Sequence, residues 1–86
     1  MKVDLQVRVD NNSGGRPMMR RRIELPFVPA PGTKIESTVW KEERDVKAVW
    51  VNVDSAPCTI ALYLGCDEGG SLEMYAAEGW EPVRSG

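Results

Sequence analysis

Two stretches, 46–53 and 59–64, alternate apolar and polar side chains with a period of two, and this pattern restricts the fold more than any other feature of the chain. A two-residue period places Val49, Val51 and Val53 on one face of a strand, and Ile60, Leu62 and Leu64 on one face of another. The connection Asp54-Ser55-Ala56-Pro57-Cys58-Thr59 is dense in turn formers. An antiparallel hairpin across it sets Val53 against Ile60, Val51 against Leu62 and Val49 against Leu64. The same register sets Trp50 against Tyr63 on the reverse face, so both faces agree.

A second hairpin is expected at the start of the chain. Val3, Leu5, Val7 and Val9 alternate with polar residues, and Met19, Ile23, Leu25 and Phe27 share one parity in 18–28. Between them lies a turn-rich segment from Asp10 to Pro17. The expected pairing opposes Leu5 to Ile23 and Val3 to Leu25. Arg21 falls on the apolar parity, which calls for a bulge or an edge position.

Pro26, Pro29 and Pro31 lack the backbone donor that regular pairing needs, so 26–31 reads as a crossing. A third strand is expected over 33–40, with Ile35, Ser37 and Val39 on one face and Trp40 on the other. A charged connection, Lys41 to Asp45, follows it. In the tail, Ser71 suits the N-cap of a helix running to Ala77 or Glu78, and Gly79 suits its C-terminal stop. Leu72, Met74 and Ala76 also fit a strand, but the propensities of Leu, Met and Ala favour helix. The expected architecture is mostly β or α+β. It is an antiparallel sheet of about five strands, or a small open barrel, with one short C-terminal helix.

With 86 residues the chain is read as one small domain with a limited core, which makes oligomerisation a route to further burial. No apolar run reaches the roughly 20 residues of a membrane span. The N-terminus has no signal-peptide pattern, and the expected location is the cytoplasm. Cys58 and Cys66 read as two reduced thiols. Residues 1–49 hold ten Lys/Arg against seven Asp/Glu, and residues 50–86 hold one against six. The first part therefore carries +3 and the second −5, unless strand interleaving mixes them in space.

The chain has no histidine, which removes the usual base of nucleophilic catalysis and the commonest transition-metal ligand. The two cysteines are eight residues apart, unlike a zinc motif, and no glycine-rich phosphate loop is present. No cofactor or metal is therefore expected. Asp67 and Glu68 read as solvated charges rather than an acid/base pair.

Two surfaces are candidates for binding. One is basic: Arg16, Arg20 and Arg22, with Arg21 pointing away, suit phosphate contacts, or else guard a sheet edge against aggregation. The other is aromatic: Trp50 and Tyr63, with Trp40 elsewhere, are the residue types that anchor interfaces. The competing structural role for this face is burial beneath Met74 and Trp80 of the C-terminal segment. The leading reading is a non-catalytic module that binds a protein partner or a second copy of itself. A nucleic-acid binder built on the arginine strand is the alternative, weakened by the net charge of −2. An enzyme using carboxylates, or Tyr63 and Tyr75, at a dimer seam is the third reading.

Overall fold

A computed structural model describes residues 1–10, 17–56 and 58–83. Strands β1 (Lys2–Asp10) and β2 (Met18–Glu24) form the expected N-terminal hairpin. The prolines then carry the chain across the sheet, and β3 (Lys34–Ile35) pairs with β4 (Arg44–Asp45) in a separate small ribbon. The long third strand expected over 33–40 shrinks to these two residues. From Ser37 onward the backbone bends through a turn closed by Trp40 N–H donating to Ser37 O at 3.1 Å. Strands β5 (Ala48–Asn52) and β6 (Thr59–Glu68) make the second hairpin. Helix α1 (Leu72–Ala77) follows, and β7 (Glu81–Pro82) is the last element of the described residues.

The main sheet has the order β5-β6-β1-β2-β7. It is mixed: β1 and β6 are parallel, and every other neighbouring pair is antiparallel. Parallel neighbours cannot be joined by a tight turn, so the long crossing over 25–47 is the consequence of placing β6 beside β1. The two end strands, β5 and β7, are far apart, so among the described residues the sheet is open.

Val3, Leu5, Val7 and Val9 line one face of β1 and are buried with Met19, Leu62 and Leu64. Val39 and Val46 from the crossing, Tyr75 of α1 and Trp80 complete that core. One face of the sheet is thus covered by the crossing and the C-terminal segment. Ser71 caps α1 as expected, its Oγ accepting from Met74 N–H at 3.3 Å, and Gly79 adopts the left-handed φ of 89° that ends it.

Both hairpins keep the expected faces but slip by two residues. Val3 opposes Ile23, Leu5 opposes Arg21, Val49 opposes Leu62 and Val51 opposes Ile60. A two-residue slip preserves parity, so the apolar faces cannot distinguish the two registers. In the first hairpin the polar face does distinguish them. The expected register sets Asp4 against Glu24 and Arg8 against Arg20. The observed one sets Asp4 against Arg22 and Lys2 against Glu24. Arg21 is accommodated at an edge and not by a bulge, because β7 flanks β2 only at Met19 and Arg20.

The one irregularity in the β1·β6 ladder lies in β6, where Leu64 and Gly65 together take the place opposite Val7. Gly65 holds φ at 87°, a conformation that costs other residues about 1–2 kcal/mol. The extra residue inverts the parity of everything after it. Asp67, which would otherwise share the face of Tyr63, is carried to the core side opposite Val9.

Candidate interaction surface

The uncovered face of the sheet displays two cross-strand rows. One runs Trp50, Ala61, Asp4, Arg22 and the other Ala48, Tyr63, Gln6, Arg20, Glu81. The aromatics therefore sit at the β5 end and the arginines at the β2 end, three strand spacings apart, or about 14 Å. Trp50 and Tyr63 stack with ring centroids 5.1 Å apart and planes 19° from parallel. They are diagonal neighbours rather than direct partners, as the slipped register requires. Trp50 is 46% exposed, and Met74 is itself exposed, so the C-terminal segment does not cover this face. Trp80 packs into the core on the other side.

The arginines of this face have acidic partners. Arg22 Nε donates to Asp4 Oδ1 at 2.8 Å and Arg20 Nε to Glu81 Oε1 at 3.0 Å. Asp4 is buried while Arg22 remains largely exposed, and the pairing holds the Arg22 guanidinium still more firmly protonated. Arg16 lies outside the described residues.

In the second hairpin, two residues of the expected apolar face are on the surface. Val51 is 56% and Val53 72% exposed. Val51 lies in β5 opposite Ile60 and Val53 just past that strand, at the turn end of the β5–β6 hairpin, whereas α1 follows the far end of β6, about 26 Å along the strand. Strand β5 is also the end of the sheet, and its five residues, Ala48 to Asn52, include no charge and no proline. The opposite end presents Arg21 and Arg22 on β2 and Pro82 in β7, devices that discourage further strand pairing.

Trp40, expected as a binding residue, belongs instead to a polar network on the covered side. Its Nε1 donates to the Tyr75 hydroxyl at 2.8 Å, and that hydroxyl donates to Asp67 Oδ2 at 2.6 Å. Arg44 pairs with Asp67 Oδ1 at 3.2 Å, donates to Cys66 O at 3.1 Å and lies 5.6 Å from the Trp40 ring centroid. Trp80 meets both Trp40 and Tyr75 edge to face. Asp67 is thus a paired, half-buried carboxylate and not a solvated loop charge. A single glycine makes room for it: a Cβ on Gly70 would come within 2.7 Å of Asp67 Oδ2 and 2.9 Å of Val9 Cγ1. The network borders an open groove of about 740 Å³.

Burial, reinforced by the hydrogen bond to Asp67, pushes the Tyr75 hydroxyl well above its ordinary value, so it stays protonated at neutral pH. Such a group fixes its neighbours and is poorly suited to proton transfer near pH 7. Among the described residues no three His, Cys, Asp or Glu side chains converge as metal ligands, and no helix is long and apolar enough to cross a membrane. Cys58 and Cys66 are both exposed and free of disulfide bonding.

The sequence carried no motif for the Asp67–Tyr75–Trp40–Arg44 network. The nearest signal is Gly65, which directly follows the alternating run 59–64 and falls inside β6 only because the strand continues to Glu68. No family model matches the chain, and neither curated proteins nor solved structures yield a match.

Proposed function

We propose that this protein is a non-catalytic binding module that recruits a protein partner by adding a strand to the edge of β5. The observation that carries this reading is the contrast between the two ends of the sheet. One end is charged and proline-bearing. The other is uncharged, with Trp50 and Val51 exposed beside edge backbone that no strand pairs among the described residues. Strand addition draws affinity from main-chain hydrogen bonds and specificity from alternate side chains, which is what β5 offers. The stacked Trp50–Tyr63 pair beside the edge supplies a rigid aromatic anchor. A nucleic-acid reading has less support, since Arg20 and Arg22 are engaged by Glu81 and Asp4.

The test is affinity capture from native lysate by the unaltered chain and by Val51→Lys, each with and without nuclease. A protein retained after nuclease and lost with Val51→Lys supports the proposal. Ligands lost with nuclease, or bound equally by both chains, would overturn it.

A further inference from the structure

We infer that the strand accepted by the β5 edge is β5 of a second copy, antiparallel across a two-fold axis perpendicular to the sheet; this rests on the edge reading above. Strand β5 has five residues with Trp50 at its centre. An antiparallel self-pair centred on Trp50 engages all five: Trp50 meets its own copy, Val49 meets Val51 and Ala48 meets Asn52. Direct partners in an antiparallel pair share a face. Both sheets therefore keep the same orientation, with the valines together on the core side and both tryptophans on the open side. The Trp50–Tyr63 stack of each copy then meets the other, giving a run of four aromatic rings.

Charge completes the fit. β5 is preceded by Lys47 and followed by Val53 and Asp54. In this register each Lys47 lies opposite the second copy's Val53, one residue from its Asp54. No charged side chain then opposes a like charge across the seam, and the Lys47 stem stays over Gly65 of its own sheet. The exposed Val51 and Val53, and the second face of Trp50, all lose water contact in one contact surface. A five-residue strand limits the interface to the low end of the specific range, about 1,200 Å² or less, so the dimer depends on concentration.

The experiment is sedimentation equilibrium on the unaltered chain from low micromolar to near-millimolar concentration, beside Val51→Lys under the same conditions. Val51 is more than half exposed, so the variant is expected to fold, and circular dichroism checks this. The expected result is a shift from the chain mass to twice that mass for the unaltered protein, and the chain mass throughout for Val51→Lys. An independent readout on the unaltered protein is isotope-filtered NOE spectroscopy of mixed labelled and unlabelled chains, with Val49-to-Val51 contacts expected between copies. A monomer at every concentration would overturn self-pairing. So would a dimer that shows no such contacts. If the monomer still captures a Val51-dependent protein from lysate, the edge reading stands without self-pairing. If it does not, both fall.

Discussion

At the scale of single residues, the effect of a side chain here depends on what its removal leaves behind. Tyr75→Phe strands both Asp67 Oδ2 and Trp40 Nε1, and a cost of about 1–3 kcal/mol is expected. The same hydroxyl gives a pH signature. Because native Tyr75 resists ionisation, the unfolded chain loses that proton first as pH rises. Its contribution to stability is therefore complete below about pH 10, the ordinary tyrosine value, and is lost progressively above it. Thermal melts across alkaline pH should show this decline, and Tyr75→Phe should flatten it. The two arginine pairs of the open face differ in the same way. Arg22→Ala leaves the buried Asp4 without its partner, whereas Arg20→Ala frees the exposed Glu81. Melting temperature should fall further for Arg22→Ala, and equal effects would contradict the burial argument.

At the scale of elements, α1 was fully legible: cap, body and stop all lie within nine consecutive residues, so no distant contact was needed to read it. The strands were legible in place and parity but not in register. Apolar alternation repeats every two residues, and so it tolerates a two-residue slip. In the first hairpin the deciding information is the charge pattern of the polar face, which the observed register satisfies by pairing Asp4 with Arg22 and Lys2 with Glu24. A double-mutant cycle tests this directly. Asp4→Arg should lower the melting temperature, and adding Arg22→Asp should restore much of it; simple additivity would show that charge does not set the register. Gly65→Ala meets only ordinary contacts with the Lys47 side chain, so its expected cost of about 1–2 kcal/mol is conformational. A larger loss, with the aromatic signals of Tyr75 and Trp40 displaced, would show that the bulge also holds Asp67 in place.

At the scale of the molecule, one sheet carries two different faces. The covered face gathers the long apolar side chains beneath the crossing and α1, and the open face is ruled by charge pairs and one aromatic stack. The separation of basic and acidic halves along the chain does not persist in space, because Arg20–Glu81 and Arg44–Asp67 join them. The two kinds of tryptophan should be separable by mutation. Trp80→Ala removes a buried ring and is expected to cost about 3–5 kcal/mol. Trp50→Ala removes a half-exposed ring and is expected to cost less: its stacking on Tyr63 is worth about 0.5–1.5 kcal/mol, added to the burial of only about half of its surface. Denaturant melts of the two variants check the contrast, and a Trp50 loss as large as that of Trp80 would place Trp50 in the core.

The sequence by itself determined the strand-rich class, the two hairpins, the proline crossing and the capped helix, because each rests on neighbours within one or two turns of chain. It also placed Trp50 and Tyr63 on the same face, since parity survives a slip of two. Only the tertiary structure decided that β6 lies parallel to β1, that Asp67 turns inward to Tyr75, that Trp40 is structural, and that Val51 and Val53 stay in contact with water. Local pattern says which side chains share a face. Which face is covered, and how far along the strand, depends on where the distant crossing and helix come to rest, and no periodicity encodes that.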